Sequence, residues 1–464
     1  MIAKLKRLFL FILFSAFSYG CYRPCNQGVE VHQVIEESLG KDVFWQRNPN
    51  SYYSLEEYLA HLAEDPLKID NVIQIALLNS PRIQALLEEV GMAKADLFES
   101  YLLSNPALDL LIKYPRKKDL YTNLEWSLTQ SIVDILLRPL RIKLASVDLQ
   151  KVKLKITHEI QQIAFEVSDC FYKLQTKEQA LRFLETIREL SSIRMEIADR
   201  QYRVGDTYLL SVAKRHAPFY EAEIEISHLG LEIISLKEQL NRLLGFCEEK
   251  SLNLSLEFEE VDYQGLSLEC LEALAFQERL DLQALRYEVI YLSQSLGLKR
   301  WWVYTQGRLG VAQEIDTDGT HVFGPAIVLD IPIFNYGQAE RQRLYASLRQ
   351  AEDELKELEI KVLSEVREAH HLLLIKLDQI NSYRGIFLPL VNQIVSLGEE
   401  RYNIMSLGID ELLEKKIEEL KLWKDYTQVL GSYWDSRVSL DKAIGGNLYL
   451  ILNKNKAPFL DGGL

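Results

Sequence analysis

Three carboxylates near residue 410 are the side chains whose type and spacing most clearly indicate chemistry. Glu411 and Glu414 stand three residues apart at the start of a predicted helix, so both lie on one helical face. Asp410 is adjacent but lies one residue round the helix. In isolation the pattern is typical of a solvated acidic first turn that complements the helix dipole. Any further role depends on what that helix start faces.

Catalytic patterns are missing from the sequence. The chain contains no GxSxG, HExxH or P-loop motif. His370 and His371 are adjacent on a predicted helix and cannot share one face, which argues against a metal site. Arg279 and Asp281, near a helix start, are interpreted as capping and ion-pair residues. We therefore expect no enzyme activity, no cofactor and no bound metal.

The elements that position these residues occur twice. Residues 76–86 read ALLNSPRIQAL and residues 275–285 read AFQERLDLQAL, an offset of 199 residues. Each copy continues into a helical stretch, two short alternating segments, a proline-containing corner and a very long helix. This order predicts an internal duplication in which two strands lie between long helices.

Four short segments alternate apolar and polar residues as strands do. The first pair is predicted over about 107–128 and the second over about 301–331. Each segment has roughly the 9–11 residues of a tilted membrane strand, and aromatic residues lie at their ends, as at a bilayer interface. Soluble hairpins that pack these aromatics into a core remain the alternative. Four strands cannot close a membrane barrel, since bacterial barrels start at about eight, so spanning strands would require several copies of the chain.

Long helices are predicted over about 132–203, 207–244, 338–402 and 410–444. A helix of 65 residues is about 100 Å long, more than a globular core can cover, so such helices must pack side by side. After the N-terminus no run of 18 uncharged apolar residues occurs, which argues against membrane-spanning helices.

The N-terminus has the pattern of an export signal over 1–20, with a basic start and a short apolar run. Cleavage before Cys21 would expose a thiol for lipid attachment. Gly20 fits that interpretation, whereas Ser18 stands where lipoproteins usually carry leucine. Ordinary cleavage near residues 16–18 is the alternative. The formal net charge of −14 lacks the basic stripe that phosphates require and argues against nucleic acid.

Taken in order, several motifs resemble the TolC family of outer-membrane efflux and secretion channels, over roughly residues 70–446. The start of the first copy resembles the pattern with which the first repeat of the family begins, here Ala76-Leu77-Leu78-Asn79-Ser80-Pro81. The start of the second copy resembles the family's second version of that pattern, here Glu278-Arg279-Leu280-Asp281, with Leu280 in place of proline. The corner residues 331–338, with Pro332 and Gly337, resemble the family's strand-to-helix corner. The first-copy corner, near Pro139, lacks the glycine.

The resemblance implies a mostly helical α+β membrane protein with a duplicated repeat. Its long helices would build a periplasmic α-barrel, continuous with a 12-stranded β-barrel to which each chain of a homotrimer gives four strands. The partners implied are outer-membrane lipid, a periplasmic adaptor and an inner-membrane pump of the RND, ABC or MFS type. The implied function is to pass substrates from the periplasm to the exterior.

The resemblance also suggests roles for the tips of the helical hairpins. It places Gly205 and Gly408 in the two helix-turn tips, and Glu411 and Glu414, with Asp410 beside them, at a periplasmic aperture that favours cations. The family arginine of this turn corresponds to Leu407, which puts closure by that salt bridge in doubt. An exported coiled-coil scaffold without a pore is the alternative function.

The predicted organisation follows from these segments: a signal peptide over 1–20, a lipid-anchored segment and collar over 21–69, a first repeat over 70–250, an equatorial linker over 251–265, a second repeat over 266–446 and a tail over 447–464.

Overall fold

The computed structural model describes residues 29–41, 43, 66–116, 120–247, 254–255, 257–261, 266–302, 307–329, 333–448 and 450–451. The predicted signal peptide, Cys21, Pro332 and most of the C-terminal tail lie outside the described residues.

Helices dominate the described structure, with two strands inserted in each half. The elements, in chain order, are α1 (Val29–Leu39), α2 (Ile69–Asn79), α3 (Pro81–Tyr101), β1 (Ala107–Lys113), β2 (Asn123–Ser131), α4 (Ile132–Arg203), α5 (Leu209–Leu244), α6 (Leu268–Glu278), α7 (Leu280–Trp302), β3 (Gly307–Ile315), β4 (His321–Leu329), α8 (Gln338–Ser382), a π-helix (Tyr383–Phe387), α9 (Leu388–Asn403) and α10 (Ile409–Ile444).

The long helices pack lengthwise in two antiparallel hairpins. Helix α4 packs on α5, and α10 packs on the column formed by α8, the π-helix and α9. Helices α4 and α10 join the two hairpins and come very close at Gly431, where an added Cβ would lie 2.0 Å from the Thr176 hydroxyl oxygen. None of the helices in the described part of the chain combines the length and the apolar character needed to span a membrane.

The column opposite α10 is interrupted by the π-helix, whereas α4 is continuous. Pro389, in the first turn of α9, has no N–H to give to the preceding turn, and such a gap in the helical ladder is accommodated by a local π-turn. The Arg384 side chain in this turn donates a 2.6 Å hydrogen bond to the Tyr426 hydroxyl of α10. The interruption is therefore tied to the facing helix.

The four strands form one antiparallel sheet in the order β1-β2-β3-β4. The strands differ at their ends from the sequence expectation. Trp301 and Trp302, predicted to begin the third strand, instead end helix α7, and β3 begins at Gly307. No proline interrupts the segment from Leu280 to Trp302, so the helix continues through the aromatic pair, which residue alternation alone could not reveal.

The strand register separates two unlike faces. One face is apolar and consists of Leu108, Leu110, Ile112, Leu124, Trp126, Leu128, Leu309, Val311, Ile315, Phe323, Pro325, Ile327 and Leu329, with Gln130, Gln313 and His321 near its ends. The other, the polar face, includes Asp109, Lys113, Asn123, Glu125, Ser127, Thr129, Ser131, Arg308 and Glu314. Leu110 and Ile327 on the apolar face are 59% and 62% exposed. Within the described chain, this apolar face is therefore left uncovered.

Candidate functional site: the tips of the helical hairpins

The turns at the two hairpin tips have the same backbone hydrogen bonds. In the first, the Gly205 amide donates to the Tyr202 carbonyl at 3.1 Å and the Asp206 amide donates to the Gln201 carbonyl at 2.9 Å. In the second, 200 residues later, the corresponding distances from the Met405 and Ser406 amides are 2.9 and 2.8 Å. Both are helix C-termini closed by a residue in the left-handed region.

The residue in that left-handed position differs between the tips. Gly205 has φ 79°, as expected for a glycine in this role, whereas the second tip has Met405 at φ 60°. Gly408, which the sequence analysis assigned to the tip, has φ −74° and caps the start of α10. A glycine is the usual signal for a left-handed residue, so a methionine there could not be found from residue type.

Asp410 is held by two arginines of the first hairpin. The Arg194 guanidinium of α4 contacts its carboxylate at 2.9 Å through Nε and at 3.4 Å through Nη2, and Arg215 Nε of α5 lies 3.1 Å from Oδ2. The Arg194 side chain is 9% exposed and that of Asp410 18% exposed. The start of α10 is therefore tied to both helices of the other hairpin by partly buried ion pairs.

The structure brings Asp410, rather than Glu411, together with Glu414. Glu414 Oε2 lies 3.5 Å from Arg194 Nη2, and the residue spacing of four puts it above Asp410 on the same face. Glu411 is exposed. Sequence spacing alone paired Glu411 with Glu414 because it could not locate the neighbouring hairpin.

Arg194 and Arg215 are functional candidates that sequence analysis missed. A second contact, at 2.9 Å, joins His216 Nε2 of α5 to the Asp199 carboxylate of α4, and Arg215 also donates to the Gln201 side chain at 2.6 Å. In the sequence these are ordinary charged residues in long helices. Only the packing of α4, α5 and α10 reveals that they converge near the tips.

The strand-to-helix corners differ from expectation in the first half. Pro139 lies inside α4, and the helix begins at Ile132, directly after β2. Its N-cap is Ser131, whose hydroxyl accepts from the Asp134 amide at 3.3 Å. In the second half Gly337 has φ 77° and precedes α8, and the Asn335 side chain accepts a 3.0 Å hydrogen bond from its amide. The second corner therefore requires its glycine.

Solved outer-membrane proteins have a similar structure to this chain. VceC of Vibrio cholerae, an outer membrane protein, is 15% identical with a TM-score of 0.64, covering 82% of this chain and 96% of VceC. The outer membrane channel CmeC of Campylobacter jejuni is 15% identical with a TM-score of 0.63, covering 90% and 92%. The outer-membrane channel OprN is 12% identical with a TM-score of 0.64, covering 92% and 98%. No protein-family model and no curated protein sequence matches the chain.

Proposed function

We propose that this chain, which shares the fold of the TolC-family outer-membrane channels, is one subunit of a trimeric channel through the outer membrane. The resemblance to that family found in the sequence is confirmed at the level of the fold. The channel function, the trimer, the internal duplication and the partners are inferred from the features below.

The uncovered apolar face of the sheet carries the proposal. Exposed apolar residues line one face of the sheet, and the charged and amide side chains of β1, β2 and β3 that lie on the opposite face resemble a wall with lipid on one side and water on the other. Leu110 and Leu111 in β1 are adjacent but lie on opposite sides of the sheet, the first on the apolar face and the second on the face that carries Glu125. A water-filled environment on both sides would leave a large apolar patch exposed, which argues against a scaffold without a pore.

The edges of the sheet require further copies of the chain. Strands β1 and β4 are the outer strands, and each has one edge without a partner among the described residues. Unpaired backbone groups are not tolerated in lipid, so the wall must close on itself. Three copies would give twelve strands, which exceeds the minimum of about eight found in bacterial barrels.

The helices offer matching edges for such a ring. The outer face of α5 exposes Tyr220, Ile224, Leu231 and Ile234, and the outer face of the α8–α9 column exposes Ile375, Ile386, Leu390 and Leu397. The first set recurs at steps of four, seven and three residues and the second at steps of eleven, four and seven, which are spacings of one helical face. Packing one edge against the other edge of a neighbour is a head-to-tail contact, which gives a ring when the rotation between copies closes, as three copies related by threefold symmetry would.

The length of the helices places the hairpin tips far from the sheet. Helix α4 has 72 residues, which at 1.5 Å per residue gives about 110 Å. With the sheet in the outer membrane, the tips would reach deep into the periplasm. We assign to the tips the aperture and the contact with a periplasmic adaptor and an inner-membrane pump. There Asp410, with Glu414 beside it on Arg194, would tie the two hairpins together, while Glu411 would face the opening.

The decisive test uses the two faces of one strand. We expect the purified full-length protein in detergent to be a trimer that conducts ions in planar bilayers. Leu110→Arg should reduce assembly in lipid, because a basic residue on the lipid side of a barrel costs about 2–4 kcal/mol near the bilayer midplane. Leu111→Arg, one residue away on the polar face, should assemble normally. A water-soluble monomer without conductance, or equal effects of both substitutions, would contradict the proposed function.

A further inference from the structure

Two glutamates face each other across the centre of the sheet. Glu125 of β2 and Glu314 of β3 are direct partners in the antiparallel register, and both lie on the polar face. Like charges placed directly opposite destabilise a sheet by roughly 0.2–1 kcal/mol per pair. Stability of the sheet therefore does not explain why two carboxylates occupy this position.

The groups around the pair only partly compensate its charge. Lys113 Nζ lies 3.4 Å from Glu125 Oε2, with both side chains largely exposed, so this contact contributes little. Asn123 donates to the Glu314 carboxylate at 2.8 Å and to the Asp316 carboxylate at 3.5 Å. Together with the pair, Lys113, Asn123 and Asp316 form a site with one cationic group for three carboxylates.

Asn123 provides an independent sign that the site accommodates a cation. The residue is 6% exposed, and its Oδ1 atom is buried without a hydrogen-bond partner in the described structure. Buried polar atoms are normally satisfied, and this oxygen belongs to the carboxamide that contacts Glu314 and Asp316. An unpartnered acceptor beside carboxylates suits a hydrated cation, whose water could donate to it.

Charge on the polar face is also distributed unevenly along the strands. Glu125 and Glu314 lie in the half near the hairpin loops and Asp109 lies near the middle of the strands, whereas Arg308 lies at the end near the helices. At the tips of the long helices, in contrast, Asp410 and Glu414 are paired with arginines. The carboxylates of the sheet therefore have fewer cationic partners than Asp410 and Glu414, which are two of the three carboxylates at the tips.

From this arrangement we propose that Glu125 and Glu314 determine the cation selectivity of the channel, at the end of the sheet near the hairpin loops. The inference rests on the proposed function, since the polar face must line the pore. Three copies of the chain would place six carboxylates at one level. Rings of carboxylates in a narrow pore attract cations and repel anions. The substrates favoured on this basis are inorganic and organic cations.

The experiment measures the reversal potential of the full-length trimer in planar bilayers under a KCl gradient. Glu125→Gln with Glu314→Gln should lower the ratio of potassium to chloride permeability by about threefold or more, since the charges that concentrate cations are removed. Lys113→Gln should raise that ratio, because it removes the cationic neighbour of the pair. Glu411→Gln with Glu414→Gln, at the helix tips, should change it less than the sheet pair does.

The outcomes separate this inference from the proposed function. If the wild-type trimer conducts but the double substitution of Glu125 and Glu314 leaves the permeability ratio unchanged, the inference is wrong and the channel proposal stands. If the double substitution of Glu411 and Glu414 lowers the permeability ratio more than that of Glu125 and Glu314 does, selectivity lies at the aperture and the inference is again wrong. If the wild type does not conduct at all, both fail. The opposite shift expected for Lys113→Gln keeps the test decisive even if the double variant assembles poorly.

Discussion

Helices α5 and α10 end with the same backbone geometry, yet the side chains that hold those ends are different. Both helices have 36 residues and end at a left-handed glycine, Gly245 or Gly445. In the first half the Asn79 amide donates to the Leu244 carbonyl at 2.7 Å. In the second half the Arg279 guanidinium donates to the Ala443 carbonyl at 3.3 Å. A neutral amide in one half thus corresponds to a buried charge in the other.

The same contrast recurs at positions 200 residues apart. Asn241 near the end of α5 corresponds to Asp441 in α10, and Leu210 at the first tip corresponds to Asp410 at the second. The left-handed tip residue is a glycine in the first half and Met405 in the second. One backbone geometry therefore accommodates different chemistry, and the second half carries more of the buried charge and strain.

The largest effect is expected where the second half uses a buried ion pair. Arg279 is 7% exposed and contacts Asp281, whose Oδ2 lies 2.6 Å from Nη2, and Glu365. Burial opposes ionisation of Asp281, but hydrogen bonds and charge from Arg279 outweigh it and lower the pKa of that carboxyl. Arg279→Ala should destabilise the protein by about 3–5 kcal/mol, because it leaves buried charges unpaired.

The control is Asn79→Ala, which removes the neutral side chain that contacts the end of α5 and should cost about 1 kcal/mol. Urea unfolding followed by circular dichroism measures both losses. Equal losses of stability in the two variants would show that the charge of Arg279 contributes no more to stability than the neutral amide of Asn79 does.

A smaller loss is expected from making the second tip resemble the first. Asp410→Leu introduces the residue type found at position 210 and leaves Arg194 buried without its main partner, which should cost about 2–3 kcal/mol. Hydrogen exchange should become faster in the tip halves of α4 and α10. The double variant Arg194→Leu with Asp410→Leu should recover most of the loss. Unchanged exchange in the single variant would show that this ion pair does not hold the hairpins together.

The third comparison concerns how residues near the ends of α5 and α10 make the stability of the protein depend on pH. Burial raises the pKa of Asp441 from its usual value to about 6. The folded protein therefore binds the proton of the Asp441 carboxyl more tightly than the unfolded chain does. The contribution of Asp441 to the stability of the fold consequently falls as pH rises from about 4 to 6. Asp441→Asn, which copies Asn241, should raise stability at pH 8 by about 1–2 kcal/mol and leave it nearly unchanged near pH 4.

The reverse substitution, Asn241→Asp, should introduce a new loss of stability above pH 6, because Asn241 is 5% exposed. Melting temperatures of both variants and the wild type at pH 4.5 and 8 provide the measurement. A gain for Asp441→Asn that is the same at both pH values would rule out titration as its cause.

The smallest effect is expected from the strained methionine. Met405→Gly should stabilise the second tip by about 0.5–1 kcal/mol, since a side chain in the left-handed region is strained and glycine is not. Gly205→Ala should cost about 1 kcal/mol at the first tip, where an added Cβ would meet nothing within 4 Å, so conformation alone is tested. Thermal unfolding measures both, and a destabilised Met405→Gly would indicate that the methionine makes a compensating contact.

The sequence by itself determined the features set by local periodicity and residue type. Alternating residues indicated the strands, long helical periodicity indicated the hairpins, and Gly205 and Gly337 marked a helix turn and a strand-to-helix corner, because each of these signals depends on a residue and its near neighbours. The order of motifs also sufficed for the resemblance to a fold that solved structures share.

Tertiary structure decided which distant residues meet. The contact of Arg194 and Arg215 with Asp410, the left-handed Met405 and the opposition of Glu125 to Glu314 join or strain residues that carry no local signal. Helix spacing paired Glu414 with Glu411, whereas the packing of the hairpins brings Glu414 together with Asp410 on the face that contacts Arg194. Long-range packing fixed those partners, because a side chain's neighbours across an interface depend on how whole helices and strands are arranged.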